Sequence, residues 1–141
     1  MGPEVVIDTN VLIAGLMSPN GASFELLRRI GTGEFEINVS VPLVLEYEAV
    51  AKRHAREMGL SASEIDDVVD FLCSVARHRQ IFYLLRPLLP DPLDDLVLEL
   101  AVESNAEYIV THNVRDFGEA TDFGIAALTP REFLRLLRSR P

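Results

Sequence analysis

The chain contains no tryptophan, a single cysteine and a single lysine, and its basic residues are fewer than its acidic ones. The lone Cys73 excludes an internal disulfide and a cysteine-based zinc site, and it is compatible with a reducing compartment. The 13 Lys and Arg residues against 22 Asp and Glu residues give a formal net charge of −9, the wrong sign for unaided binding of phosphate groups. A nucleic-acid partner would therefore require a bound cation or local clusters of arginine.

Long apolar runs are also missing from the sequence. No run reaches the roughly 18 residues of a membrane span, and Met1-Gly2-Pro3-Glu4 does not begin a basic signal peptide. The chain has 141 residues, of which 48% are hydrophobic, so it is long enough for one domain with a buried core. We therefore expect a single domain over residues 1–141 that is soluble and cytoplasmic and has no membrane contact.

Short apolar runs alternate with segments of helical spacing. Strands are predicted at Glu4–Asp8, Phe35–Ser40, Ile81–Leu85, Glu107–Thr111 and Ile125–Leu128. Helices are predicted from Val11 after a cap formed by Thr9 and Asn10, at Ser23–Ile30, from Pro42 to about Gly59, from Ser61 to about Arg79, at Leu93–Ser104 and from Thr129-Pro130 through Leu137. This alternation predicts an α/β protein, a three-layer α/β/α sandwich around a central parallel sheet of about five strands, as in Rossmann-like folds.

Two acidic residues stand beside apolar segments near one edge of this sheet. Asp8 ends the first strand after three apolar residues, where an ionised carboxylate is costly without a positive partner or hydrogen-bond donors. Its alternative role is a helix cap, because a helix follows at once. Glu46 lies on or beside the apolar stripe of its helix, either at the boundary of the core or directed into a cleft.

Further polar residues follow the proline-rich turn and the fourth strand. Asp94 and Asp95 open a helix, where they either complement the helix dipole or belong to a site. Helical spacing indicates that Asp94 is the more inward of the two. Asp116 follows the fourth strand together with the hydroxyl of Thr111 and the amide of Asn113, although an Asx turn explains Asn113 or Asp116 nearly as well.

The acidic residues predict a metal-dependent reaction if they converge. Crowded carboxylates repel one another unless a cation lies among them. Oxygen ligands favour Mg²⁺ or Mn²⁺, which accept phosphate oxygens as further ligands. The expected chemistry is hydrolysis of a phosphodiester by an activated water. The residues expected to hold the metal and to catalyse this reaction are Asp8, Glu46, Asp94 and Asp116.

Four segments in register resemble a PIN-domain nuclease: Val6–Ile13, Glu46 within a helix, Asp91–Ala101 and Ala106–Phe117. The resemblance is closest to small prokaryotic PIN proteins that are the toxins of type II toxin-antitoxin systems, relatives of VapC-type toxins. It implies a PIN-like fold and an endoribonuclease that depends on Mg²⁺ or Mn²⁺. It also implies an RNA substrate, a homodimer and inhibition by a small antitoxin protein.

The resemblance assigns individual residues as well. The acidic quartet of the family is matched by Asp8, Glu46, Asp94 and Asp116. Asn10 matches the polar residue after the first aspartate, and Thr111 matches the hydroxyl after the fourth strand. Many relatives carry aspartate where this chain has Asn113, so the fourth acidic role passes to Asp116 or a second metal binds weakly. Asn113 and Asp95 are expected to be supporting residues.

Other functions agree less well with the sequence. Phosphatases with an aspartate nucleophile need a second aspartate where this chain has Asn10, and a lysine late in the site, whereas the lysine here is Lys52 in the middle of a helix. Receiver domains need the same lysine, and a P-loop needs glycines and a lysine that are absent. The main alternative is a PIN fold with little or no activity that binds a protein or RNA, and Asn113 keeps this alternative open.

Basic residues cluster on the last predicted helix, where Arg131, Arg135 and Arg138 share one side. They form either a solvated face or contacts to an RNA backbone. The three histidines share no metal-ligand spacing, although His112 lies near the proposed site.

Overall fold

Five parallel strands form the central layer of the protein. A computed structural model describes residues 2–82 and 88–140. Within these residues the strands are β1 (Glu4–Ile7), β2 (Glu36–Val39), β3 (Arg77–His78), β4 (Tyr108–Val110) and β5 (Ala126–Leu128). Their order in the sheet is β3-β2-β1-β4-β5, and all four pairings are parallel. The predicted α/β fold with about five parallel strands is confirmed.

Helices flank this sheet in the predicted three-layer arrangement. They are α1 (Thr9–Met17), α2 (Ala22–Arg28), α3 (Val41–Arg53), α4 (Ala55–Met58), α5 (Ala62–Val75), α6 (Pro92–Glu103), a 3₁₀ helix (Val114–Phe123) and α7 (Pro130–Ser139). In the part of the chain that the structure describes, none of them combines the length and the apolar character needed to cross a membrane.

The two central strands are buried on both faces. Val5, Val6, Ile109 and Val110 are fully buried, which explains why β1 and β4 have continuous apolar sequences rather than alternating ones. Because the core extends to the ends of both strands, the polar residues that directly follow the strands lie at the edge of the core.

The third strand lies earlier in the chain than predicted. The first two residues of the predicted strand Ile81–Leu85 are not in a strand, and residues 83–85 lie outside the described part of the chain. Instead Arg77–His78 pairs with β2, so the preceding helix ends at Val75 rather than near Arg79. Both residues of β3 are exposed at the edge of the sheet, and so no apolar pattern marks this strand.

Three further features of the helices differ from the prediction. The helix expected to run to about Gly59 is interrupted at His54, whose φ of −102° and ψ of 11° are not helical, and no proline or glycine marks this break. The 3₁₀ helix after β4 was not predicted. Helix α1 is capped by Asp8 rather than by Thr9 and Asn10, because the Asp8 side chain accepts a hydrogen bond from the Thr9 N–H at 2.8 Å.

Candidate active site

Two neighbouring strands, β1 and β4, end at the same level of the sheet. Ile7 pairs with Val110, and the next residues, Asp8 and Thr111, therefore lie side by side. Strand β1 has β2 on one side and β4 on the other, so the connections of the chain change direction here. Open parallel sheets bind ligands at this kind of crevice, beyond the carboxyl ends of the strands.

Asp8 is the most buried acidic side chain in this crevice, with 7% of its surface exposed. Its Oδ1 accepts a hydrogen bond from the Thr9 N–H at 2.8 Å, and its Oδ2 accepts one from the Thr111 hydroxyl at 2.7 Å. Burial raises the pKa of the Asp8 carboxyl, and the negative charges of Glu46 and Asp116 raise it further, whereas the two hydrogen bonds act in the opposite direction. An ionised Asp8 is thus held in place but not neutralised.

Thr111 joins the polar residues of β1 and β4 through one hydroxyl. It is fully buried, it donates to Asp8, and it accepts hydrogen bonds from the Asn113 N–H at 3.0 Å and from the Asn10 side-chain amide at 3.5 Å. The Asn10 carbonyl oxygen accepts a hydrogen bond from the His112 N–H at 3.3 Å. Thr111 and Asn10 therefore fix the chain that leaves β4 against Asp8.

Thr111→Val is expected to lower the free energy of unfolding by about 1–3 kcal/mol, because valine keeps the shape but leaves buried partners of the hydroxyl unsatisfied. The pKa of Asp8 should rise further, since it loses a donor to its ionised form. Urea denaturation measures the first effect. Thr111→Ser is the control, because it keeps the hydroxyl and should retain most of the stability. A Thr111→Val protein as stable as the wild type would contradict this role.

Helix α3 brings Glu46 to the same crevice. The half-buried Glu46 accepts a hydrogen bond from the Thr9 hydroxyl through Oε2 at 2.5 Å. The next residue, Tyr47, is buried, and its hydroxyl donates to the backbone oxygen of Ile7 at the end of β1. Burial raises the pKa of the Tyr47 hydroxyl, which therefore stays protonated and can donate. Tyr47 thus anchors α3 to β1, a role that the apolar pattern of α3 did not reveal.

Helix α6 adds two acidic side chains to the pocket, Asp91 and Asp94. Asp91 caps the helix by accepting a hydrogen bond from the Leu93 N–H at 2.9 Å, and Pro92 occupies its first turn. Asp94 is half-buried and faces the crevice. Burial raises the pKa of the Asp94 carboxyl to about 7, with further contributions from the negative charges of Asp8, Asp91, Asp116 and Glu46.

Asp95 lies elsewhere, and the prediction that Asp94 is the more inward of the two was wrong. Only 1% of Asp95 is exposed, and its carboxylate accepts a hydrogen bond from the Leu89 N–H at 3.0 Å. It therefore stabilises the turn before α6 and does not line the pocket. The burial of a side chain on α6 does not tell which way it points, because one side of this helix faces the core and another faces the crevice.

The remaining predicted residues lie at different depths. Asn10 and Asn113 line the pocket, whereas Asp116 is exposed in the 3₁₀ helix and acts on Asp8 and Asp94 through its charge. The lining also includes His54, which was not predicted there. His54 lies at the interruption between α3 and α4, which the helical pattern did not reveal, so its position had no sequence signal.

The PIN domain family matches residues 4–115 of the chain. The chain belongs to the PIN-domain family. Its fold is similar to that of a chain in the crystal structure of VapBC2 from Rickettsia felis bound to a DNA fragment from their promoter, with a TM-score of 0.62 and 13% sequence identity. That similarity covers 89% of this chain and 98% of the other. No curated protein matches the sequence. The family membership that the four segments predicted is confirmed, and it supports a nuclease activity in general terms.

The pocket of this PIN domain has a volume of about 460 Å³ and no Lys or Arg among its described lining residues. Across residues 2–82 and 88–140, no three His, Cys, Asp or Glu side chains already stand in an arrangement that holds a metal ion. The donor chemistry nevertheless fits a hard divalent cation, because carboxylate oxygens line a partly buried cleft in which burial and neighbouring negative charges raise the pKa values of Asp8 and Asp94.

Proposed function

We propose that this PIN domain is an endoribonuclease that depends on Mg²⁺ or Mn²⁺ and hydrolyses the phosphodiester bonds of RNA. The observation that carries the proposal is the accumulation of negative charge around Asp8 and Asp94, without a Lys or Arg among the described lining residues of the pocket. A divalent cation would relieve this repulsion and attract an anionic substrate to an acidic pocket. Family membership supports the same activity.

The proposed ligands of the cation are four carboxylates, each from a different part of the fold. Asp8 follows β1, Glu46 lies on α3, Asp94 lies on α6, and Asp116 lies on the 3₁₀ helix. When bound, a Mg²⁺ or Mn²⁺ ion supplies Lewis-acid stabilisation of the charge that develops on the phosphate and lowers the pKa of water. Asn10 and Asn113 offer amide groups at the same pocket.

The residues of the chain position the reacting groups. The Thr111 hydroxyl and the Thr9 N–H hold the Asp8 carboxylate in one orientation. The Thr9 hydroxyl holds Oε2 of Glu46, and we assign to Oε1 of Glu46 the proton released when water attacks phosphorus. One P–O ester bond then breaks and the leaving oxygen takes up a proton from solvent, so that the products are a phosphomonoester and a hydroxyl group.

We propose in addition that the protein is the toxin of a type II toxin-antitoxin pair. Its sequence resembles VapC-type toxins, and its fold is shared with a chain of the VapBC2 structure. The proposed partner is a small antitoxin protein that inhibits the nuclease. We propose a cytoplasmic homodimer in which each chain is a single PIN-like domain over residues 1–141.

A second candidate function is a PIN fold that binds RNA or a protein without cleavage. Asn113 favours it, because this residue lines the pocket where a neutral amide replaces the carboxylate of many relatives. The carboxylate assigned in its place, Asp116, is exposed to solvent, so its charge acts on the pocket more weakly than a buried carboxylate would. Weak metal binding at this end of the pocket would reduce turnover and leave binding intact.

Cleavage of a mixed RNA pool by the purified protein tests these alternatives. We expect fragments in Mg²⁺ or Mn²⁺, none in excess EDTA, and cleavage again when Mn²⁺ is restored. A DNA pool of the same composition tests the preference for RNA. RNA that is bound but stays intact in Mn²⁺ would favour the binding function, and cleavage that persists in EDTA would contradict a metal-dependent site.

A further inference from the structure

The last helix carries a row of arginines outside the acidic pocket. Arg131, Arg135 and Arg138 are spaced by four and three residues, so they share one face of α7, and all three are exposed. The row extends over about 10 Å along the helix axis. We call these three residues the α7 arginine row.

The row has no ion pair among the described residues. The arginines that do form ion pairs there are Arg28, Arg29, Arg77 and Arg79. Arg135 lies within electrostatic range of Glu132, but the Glu132 carboxylate accepts a hydrogen bond from the Thr129 N–H at 2.9 Å as part of the capping box of α7. In a chain with a net charge of −9, three arginines on one helix face without an ion pair form a local patch of positive charge.

A depression of about 360 Å³ lies between the row and the turn before α2. All three arginines line it, opposite Asn20 and Gly21. The one carboxylate in its described lining, Glu25, accepts hydrogen bonds from Arg28 and Arg29, three and four residues further along the chain. The depression is therefore basic on balance and open to an anion.

A second depression, of about 420 Å³, lies between this one and the acidic pocket, and we call the two neighbouring depressions the channel. The second depression shares Gly21 and Arg131 with the first, and it shares Ala14 with the acidic pocket. Its wall contains His112, whose Nε2 lies 2.8 Å from the hydroxyl of the buried Ser23. His112 follows Thr111 directly, so the channel begins beside the residues that orient Asp8.

We infer that the α7 arginine row binds backbone phosphates of an RNA strand whose neighbouring phosphodiester lies in the acidic pocket. The inference rests on the proposed function and extends it, because it gives the substrate a path across the surface. Guanidinium groups bind phosphate oxygens through paired hydrogen bonds, and such contacts with the backbone do not depend on the identity of the base. His112, fixed by Ser23, stands on this path between the row and the pocket.

An acidic peptide is the competing ligand for an arginine row. The connection to the acidic pocket favours RNA, because a peptide carboxylate that continued along the channel would meet Asp8 and Asp94, whose charges repel it. A phosphodiester that enters the same pocket contributes oxygen ligands to a divalent cation. The charges along the channel therefore favour a chain of phosphodiesters over an acidic peptide.

The test compares two triple variants in an Asp8→Asn background, where RNA stays intact. One carries Arg131→Gln, Arg135→Gln and Arg138→Gln. The other carries Arg53→Gln, Arg56→Gln and Arg77→Gln, which removes the same charge from exposed positions outside the channel. Binding of a short labelled single-stranded RNA of mixed sequence is measured by fluorescence anisotropy over a range of salt concentrations, without divalent ions.

We expect the α7 triple variant to bind RNA about 10-fold more weakly and to lower the slope of log Kd against log salt by about 2, since each phosphate contact on a single strand contributes about 0.7. The matched variant should stay close to the Asp8→Asn parent. Replacing the row by three lysines should keep the salt slope, because the charge is retained. With Asp8 restored, the α7 triple variant should show a raised KM in Mn²⁺ with little change in kcat.

Equal RNA affinities and salt slopes for the two triple variants would overturn the inference, while cleavage by the wild type would leave the proposed function standing. Loss of polyglutamate binding in the α7 variant without loss of RNA binding would also overturn it, in favour of an acidic protein partner. If the wild type does not cleave RNA but the row still determines affinity, the nuclease proposal fails and the RNA surface stands.

Discussion

Asp8→Asn is expected to lower the rate of RNA cleavage by at least about 100-fold, which corresponds to about 3 kcal/mol of transition-state stabilisation. Asp8 is the buried carboxylate among the lining residues of the pocket, and its two hydrogen bonds fix its orientation without cancelling its charge. An amide in its place supplies one neutral oxygen to the cation instead of a carboxylate. Single-turnover cleavage of labelled RNA in Mn²⁺ measures the loss.

Glu48→Gln is the matched control for this experiment. It converts a carboxylate to an amide on α3, but Glu48 is partly exposed and pairs with Lys52 at 3.6 Å outside the pocket. Its cleavage rate should stay close to that of the wild type. If Asp8→Asn and Glu48→Gln cleave equally fast, the active site is not at Asp8. A clear loss of metal-free stability in Asp8→Asn would show that Asp8 is chiefly the cap of α1.

Asp94→Asn is expected to make the metal-free protein more stable than the wild type at pH 8, by about 1–3 kcal/mol after a discount for the partial exposure of this side chain. The pKa of Asp94 lies at about 7 in the folded protein, above its ordinary value of 3.8, because burial and four nearby carboxylates oppose its ionisation. Between these pH values the folded state retains a proton that the unfolded chain has released. The stability that this proton provides is complete below about pH 4 and is lost as the pH rises through about 7.

Denaturation by urea at pH 5 and at pH 8 in EDTA measures this difference, which should be larger at pH 8. Mn²⁺ should raise the Tm of the wild type more than that of Asp94→Asn, since the ion binds the folded state and loses a ligand in the variant. Glu48→Gln again controls for the removal of one negative charge. An Asp94→Asn protein that is less stable than the wild type at pH 8 would assign Asp94 to the helix terminus rather than to a strained pocket.

Much of the site was predictable because a parallel sheet places the carboxyl ends of its strands at one edge. Asp8 follows an apolar run, and Thr111 follows another, so their encounter required only that the two strands be neighbours. Glu46 was recognised because an acidic residue interrupts an apolar stripe, which is costly unless the side chain reaches solvent or a ligand.

Helical periodicity was insufficient for Asp94 and Asp95. Both lie in the first turn of α6, where the helix contacts the core on one side, the pocket on another and the preceding turn on a third. Asp94 has more apolar residues three and four positions away on the helix than Asp95 has, so the pattern predicted that Asp94 is the more buried of the two. The structure buries Asp95 more deeply, because its carboxylate satisfies the Leu89 N–H of the turn. A hydrogen bond with a loop backbone leaves no periodic signal in the sequence.

The sequence alone determined the fold class, the family and the set of acidic residues worth considering, because these depend on local apolar patterns and on residue order along the chain. Only the tertiary structure decided which way each side chain points, where α3 breaks at His54, and that Arg131 of α7 lines the same depression as His112. These features arise from contacts between segments far apart in the chain. The local sequence pattern predicts whether a residue is buried, but the packing of neighbouring helices and strands determines which residues it contacts.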